Sequence, residues 1–513
     1  MRLELDSHDS ATNLPIRFGV GTTNADHSLL NVQDLAGKPV AMLGVGGSGM
    51  SALARLLASM GVEVRGYDAV ASPVTDRLIE SAISVAIEEG HRAGEGAHAI
   101  IATAAVPDDH PAIVSAMESG LPLLTYPQAL GMVMRGRTGV AVAGTHGKST
   151  TVAMLGAAMV DAGRDPTVIA GAASPQLANG ALADPGEWIG SRHGAAAIPS
   201  GSRHGAPGLL VAEACEFNRS FHNLQPTIAG IGNVEADHLD IYGSLDAVVE
   251  AFAHFARALP SAEDGGVLII GHDGAHRREV TAGLTARVET IGFSPQADWV
   301  VSYDERTATV SVRSAEAIQS QWTLTLPGAH NAANSAMAFA LAVTAGANPS
   351  LAARSLSAFA GLERRCQLLG NRSISGGSVR VYDDYGHHPT EVDATLRAIR
   401  TAERPETNGG RLIVVFQPHQ HSRTRFLLDE FATAFSSADA VSVPEIYFVR
   451  DSEAEKQRGN ADDLVSRLRD RGIDASHAHP FSAIVEQLER DCRPGDVVVV
   501  MGAGPVWQVA RGF

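Results

Sequence analysis

Residues 138–163 read TGVAVAGTHGKSTTVAMLGAAMVDAG. A short apolar run, a turn with two glycines and a long stretch of small apolar residues form the pattern of a buried strand that feeds a helix. Within the turn, GTHGKST would aim successive backbone N–H groups and a helix N-terminus at an anion. Lys148 would neutralise terminal phosphates, and a hydroxyl of the turn could ligate a cation. Val142 stands where the standard phosphate-loop spacing has its first glycine. The alternative is a glycine turn that only connects strand to helix. The lysine count favours a phosphate loop: Lys38, Lys148 and Lys456 are the only lysines, although Lys and Arg together number 40. A compact ammonium can enter a phosphate cradle where a broad planar guanidinium does not serve.

Outward from this unit, the 513 residues exceed what one core holds and suggest about three domains. An apolar content of 45% is that of a globular chain. The net charge of −17 argues against binding nucleic acid or an anionic membrane, which takes a surplus of basic groups. Cys215, Cys366 and Cys492 are too far apart for metal-ligand spacing and read as reduced thiols, so a cytoplasmic enzyme without a membrane span is expected. Residues 1–37 are polar and aperiodic, a flexible N-terminal arm. Residues 38–137 start with PVAMLGVGGSGMSALARLLASMGVEVRGYD, again strand, glycine turn, helix and strand. A second α/β region follows over 138–360, broken by an insert at about 185–208 that contains SRHGA twice. Runs such as TATVSVRS and WTLTLPG within 285–327 suggest a small antiparallel patch. A third alternation runs over 361–513. The fold class is α/β, with three domains in series.

Other chemistry-bearing residues also follow predicted strands. GVGGSGM (44–50) could bind NAD, bind the diphosphate of another nucleotide or only pack closely, with Asp68 at the distance of a ribose-binding acid. Glu213 and Glu216 follow one strand, and Glu235, Asp237, His238 and Asp240 follow another. Such groups suit Mg²⁺ bridging phosphates and a carboxylate; singly, each could equally be a solvated rim residue. His330, Asn331 and Asn334 open a helix, where the two asparagines share a face or merely cap it. Asp383, Asp384, His387 and His388, then His419, His421, Arg423 and Arg425, complete the set. Zinc is disfavoured for these histidines because no cysteine or HExxH pattern accompanies them, and Arg423 and Arg425 are suited to gripping a carboxylate.

In this order, GVGGSGM, GTHGKSTT, EACEFNRSF, NVEADHLDIY, GAHNAANSA, ERR, DDYGHHPTEV, FQPHQHSRTR and GAGPV resemble the Mur ligases over residues 38–513. The resemblance implies a Rossmann-like UDP-binding domain, a central ATPase-like domain and a Rossmann-like C-terminal domain that brings the amino acid. It further implies ATP-dependent amide formation through an acyl phosphate, with Mg²⁺ or Mn²⁺ as cofactor. DDYGHHP favours the branch that joins L-alanine to UDP-N-acetylmuramate, as a monomer or homodimer; a peptide-recycling branch is the alternative. By the same resemblance, Gly46, Gly47, Ser48, Gly49 and Met50 would meet the UDP-sugar. Gly144, Thr145, His146, Gly147, Lys148, Ser149, Thr150, His330, Asn331 and Asn334 would hold ATP, and Ser149, Glu213 and His238 the metal. Lys148, Glu213, His238, Arg365 and Asp384 would be catalytic, and Tyr385, His387 and Arg423 would orient the amino acid. Some relatives use a carbamylated lysine after the ADH motif, and LDIYGSLDAVVEAFAHFARAL has no lysine to carry it. From other classes, an NAD-linked oxidoreductase would leave the phosphate loop unexplained, and a nucleotide switch would leave the C-terminal Asp, His and Arg residues without a task.

Overall fold

In the computed structural model, which describes residues 30–179, 189–192, 208–314, 318–448, 451 and 453–513, the run PVAML becomes the central strand of a parallel sheet. The chain divides into two units, Met1–Arg135 and Gly136–Phe513. Of the expected arm, residues 1–29 lie outside the described ones, and Val32–Leu35 forms a short 3-10 turn.

In the first unit, β1 (Pro39–Leu43), β2 (Glu63–Asp68), β3 (Ser84–Ile87), β4 (Ala99–Ala102) and β5 (Leu123–Thr125) pair in the order β3-β2-β1-β4-β5, all parallel. β4 is buried throughout and β1 over all but its first residue, as strands covered on both faces must be. The strand order reverses at β1, the switch point at which open α/β sheets take ligands, and the glycine turn leaves β1 there. Gly44 has φ +75°, and a Cβ at this position would lie 2.3 Å from Thr103 Cγ2. After the turn, the helix Ser48–Ser59 carries the chain back to β2.

The second unit holds two sheets. In the larger, β6 (Thr138–Ala143), β7 (Thr167–Ser174), β8 (Ile189–Arg192), β9 (Leu209–Glu213), β10 (Ile228–Ile231), β11 (Val267–Gly271), β12 (Arg287–Gly292), β13 (Trp299–Asp304), β14 (Thr309–Ser314) and β15 (Gln319–Thr323) run in the order β15-β14-β13-β12-β11-β10-β6-β9-β7-β8. The expected antiparallel patch is confined to β13–β15, because β12 pairs parallel with both β11 and β13. The expected insert contributes β8, an antiparallel edge strand on β7, and most of its remaining residues lie outside the described ones.

The helices Lys148–Asp161 and Ala329–Thr344 are buried along most of their length and belong to one core with the strands they cover. Their Ala, Gly and Ser content permits this, since a helix enclosed on all sides needs small residues rather than a polar stripe. The smaller sheet takes β16 (Gln367–Ile374), β17 (Gly377–Asp384), β18 (Leu412–Phe416), β19 (Ala440–Val443), β20 (Asp474–His477) and β21 (Val497–Met501) in the order β16-β17-β21-β18-β19-β20. β16 and β17 form an antiparallel hairpin and the other pairs are parallel. Apolar clusters cover both faces of this sheet. The three cysteines are free thiols, and no helix among the described residues is long and apolar enough to cross a membrane.

Gly147 is the tightest joint between the two long helices. It has φ +81°, and a Cβ there would lie 2.2 Å from Asn334 Oδ1. Left-handed backbone costs an ordinary L-residue roughly 1–2 kcal/mol, and the clash adds to that. Gly147→Ala is therefore expected to lose about 2 kcal/mol or more of stability and to weaken ATP binding; unchanged chemical denaturation would refute the placement.

Candidate active site

The phosphate-loop stretch is held from below by the segment after β10. Thr145 N donates to Asn233 O (3.0 Å), His146 N to Asn233 Oδ1 (2.8 Å), and Glu235 N to Thr145 Oγ1 (2.9 Å). The asparagine completes the clasp by donating from Nδ2 to His146 O at 3.3 Å. Lys148 folds back over this loop: its Nζ donates to Gly144 O (2.6 Å), Thr145 O (3.0 Å) and Glu216 Oε1 (3.0 Å), and lies 2.8 Å from Glu216 Oε2. Burial alone would lower the lysine pKa, but Glu216, with Cys215 and Glu213 nearby, more than reverses this and keeps the ammonium charged. Burial raises the Glu216 pKa against the opposing pull of Lys148.

Two acidic clusters flank the ammonium. Glu213 Oε2 accepts from Ser149 Oγ (2.8 Å) and Gly171 N (2.9 Å). Glu216, Asp237 and His238 each present a ligand atom within 4.8 Å of the others. Burial holds His238 near pKa 4, with Asp237 opposing and Arg423 and Lys148 adding to the shift, so its imidazole is neutral and able to ligate. The expected trio of Ser149, Glu213 and His238 is thus rearranged: Glu213 sits with the hydroxyl, and the carboxylates beside His238 are Glu216 and Asp237. Hard carboxylate oxygens around a neutral imidazole, among them the buried Glu216 Oε2 that faces only the Lys148 ammonium, fit a divalent cation of the Mg²⁺ or Mn²⁺ class.

The smaller sheet supplies the opposite wall. A cavity of about 210 Å³ is lined by His146, Gly147, Lys148 and Thr150 of the loop, by His330, Asn331 and Asn334, and by Arg365, Asp384 and Glu391. Ile291, Phe293, Val301 and Met337 give it an apolar flank suited to a base. Asp384, the last residue of β17, accepts from Cys366 N and Gly386 N, both at 2.6 Å. Burial lifts its pKa to about 6 although Arg365 pulls the other way. Arg365 lies 5.0 Å over the Tyr385 ring and 3.9 Å from Glu391 Oε1. Strain gathers here: His238, Arg364, Cys366 and Gln420 have φ between +47° and +68° without being glycine, at roughly 1–3 kcal/mol each.

Most of the expected ATP residues therefore line one cavity, and Arg365 and Asp384 meet them. Arg423 is buried, with Nη2 2.9 Å from Asp237 Oδ1 and Nη1 3.3 Å from His419 Nδ1. Asp237 holds it from the larger sheet, and His387 lies nearby, its ring 5.6 Å from that of His419 and 5.5 Å from that of Tyr385 by centroids. In the first unit, Gly46 N donates to Asp68 Oδ2 (2.8 Å) and Val70 N to Asp68 Oδ1 (3.1 Å), so the acid braces the turn. Gly49 abuts the Tyr126 ring, Gly47 caps the helix that Ser48 opens, and Met50 is buried in that helix.

Sequence reasoning passed over Asn233 and Glu391. Glu391 accepts from His387 N (3.0 Å), His388 N (3.3 Å) and His146 Nδ1 (3.2 Å). Its signal was the spacing HHPTE, a capping box in which the N3 carboxylate turns back on the cap.

Comparison with known proteins matches three family models in series: "Mur ligase family, catalytic domain" over residues 39–138, "Mur ligase middle domain" over 142–342, and "Mur ligase, glutamate ligase domain" over 364–504. A UDP-N-acetylmuramate–L-alanine ligase of Paenarthrobacter aurescens is 39% identical over 91% of this chain and 94% of its own. One of Sorangium cellulosum is 35% identical over 92% and 95%. Among solved structures, a UDP-N-acetylmuramate-alanine ligase of Thermotoga maritima shares the fold at TM-score 0.70, with 23% identity over 92% of this chain and 97% of that one. A murein peptide ligase of Psychrobacter arcticus shares it at TM-score 0.66, again at 23% identity, over 93% and 98%.

Asp384 is expected to set an acid limit on turnover. Its folded-state pKa of about 6 lies above the ordinary 3.8, so its own contribution to stability is present at low pH and declines as pH rises through about 6. Activity carries the opposite sign, because the ionised carboxylate faces the cavity only above that value. Turnover is expected to fall about tenfold per unit below pH 6, and Asp384→Asn should be slow and lack that inflection; an unchanged acid limb in the variant would refute the assignment.

Proposed function

The chain belongs to the Mur ligase family, and from that premise we infer that it joins L-alanine to the lactyl carboxylate of UDP-N-acetylmuramate at the expense of ATP. The curated relatives at 33–39% identity are named for that reaction. The peptide ligase resembles the chain in fold alone, so it offers the weaker reading. The observation that carries the mechanism is the buried ammonium of Lys148 at the base of a cavity whose far wall presents Arg365 and Asp384.

In this reading the triphosphate of ATP lies along residues 144–150, and the base rests against Ile291, Phe293 and Met337. The lactyl carboxylate attacks the γ-phosphorus, the bond to the β-γ bridging oxygen breaks, and ADP leaves. The amine of L-alanine then attacks the acyl phosphate carbon, and the tetrahedral intermediate collapses to the amide and inorganic phosphate. Lys148 and Arg365 approach the transferring group from opposite sides and offset its charge, which is the larger part of catalysis when anions must meet. Ser149 and Glu213 on one side and Glu216, Asp237 and His238 on the other would hold Mg²⁺, which when bound supplies further charge neutralisation at the phosphates. The UDP-sugar would rest on the turn Gly46–Met50, and the reaction belongs to peptidoglycan synthesis in the cytoplasm.

Phosphate release with ATP, Mg²⁺ and UDP-N-acetylmuramate, with L-alanine, L-serine, glycine or a peptide added in separate assays, tests the assignment. L-Alanine should give the fastest release; release only with a peptide would move the protein to recycling. Lys148→Ala should cut turnover by about a thousandfold or more and leave UDP-N-acetylmuramate affinity within about twofold, since the glycine turn belongs to the other unit. Equal loss of both would contradict this division of labour.

A further inference from the structure

His146 lies inside the phosphate loop, yet its ring engages the opposite wall. Nδ1 is 3.2 Å from Glu391 Oε1 on the helix Pro389–Glu403, and Nε2 is 3.6 Å from Glu235 Oε2 in the segment after β10. The ring also lies against that of His388, with centroids 4.7 Å apart and planes tilted by 41°. We propose that His146 is a positioning residue, a tie paired with both Glu235 and Glu391 that fastens the phosphate loop to the smaller sheet and so completes the ATP cavity. The inference rests on the ATP-binding reading of that cavity and not on which amino acid is added.

Three observations support it. Glu391 passes the connection on: it accepts from two backbone amides of its own helix cap and lies 3.9 Å from Arg365, which itself lines the cavity. The His146, Glu235 and His388 group could be mistaken for a metal site, but both nitrogens of His388 are engaged, Nδ1 with Thr390 N and Nε2 with Ala236 O, each at 3.3 Å. Finally, the imidazole holds its proton. Burial opposes the charge, but the hydrogen bond to Glu391 and the nearby carboxylates of Glu391 and Glu235 raise its pKa to about 9.

The groups facing His146 are Glu235, Glu391, His388 and the amide of Asn233, with Lys148 on its own loop and Arg365 behind Glu391. An untied histidine has a pKa near 6.5, so the tie is complete below that value and is lost as pH rises through about 9. The tie adds to the other contacts that hold the cavity walls together, so apparent ATP affinity is expected to fall as the tied fraction falls.

The test is calorimetric binding of ATP with Mg²⁺, without UDP-sugar or amino acid, so that it reads out even if the alanine assignment fails. His146→Gln and Glu391→Gln should each weaken binding on the order of tenfold at pH 7.5, and the double variant should be no weaker than the worse single. Wild-type affinity should decline between pH 8 and 10, and the decline should vanish in His146→Gln. Glu235→Gln, at a partly exposed carboxylate, should move the midpoint to lower pH. Multiplying losses in the double variant, a flat wild-type profile, or an unmoved midpoint in Glu235→Gln would each overturn the proposal.

Discussion

One buried ammonium organises this active site. Lys148 is enclosed by its own loop carbonyls and by Glu216, itself buried. Taking such a pair out of water costs several kcal/mol per ion before their attraction is counted, so the surroundings must fix both partners closely. They do so through Tyr242, whose hydroxyl donates to Glu216 O at 2.5 Å, and through the clasp of Asn233 and Glu235 on Thr145 and His146. A phosphate arriving at this loop meets a cation already desolvated and aimed, which is the condition under which one charge counts for most.

The second constraint is that the cavity has two owners. Its floor comes from the larger sheet and its far wall from residues 365–395, so its shape depends on what fastens the two together. Several contacts cross between them: Arg423 reaches Asp237, Glu391 reaches His146, Thr390 Oγ1 donates to Glu235 Oε2 at 2.8 Å, and His388 Nε2 meets Ala236 O at 3.3 Å. All end on segments that follow strands β6 and β10, which are hydrogen-bonded neighbours. Register between two strands therefore sets the spacing of these contacts.

How much of this was legible in the sequence depends on whether local chemistry or long-range pairing decided the matter. The strand–glycine turn–helix units at 39–68 and 138–163 were plain because Gly44 and Gly147 mark the turns with conformations few other residues accept. The cavity residues of GTHGKST, HNAAN and ERR could be read because each lies at an element end where side chains have little packing to do. Which carboxylate sits beside His238 was not legible: Glu213 and Glu216 are three residues apart, and only the path of the 3-10 turn from Phe217 to Asn223, with left-handed Asn218 and Arg219, sends one to Ser149 and the other to Lys148. The pairing of Arg423 was not legible for a similar reason, since its partner Asp237 is 186 residues away and no local pattern announces it.

The charges in the centre are closely matched. Lys148 and Arg423 balance Glu216 and Asp237, while His238 between them stays neutral. A balanced cluster can be buried without an external counter-ion, which keeps the empty site folded.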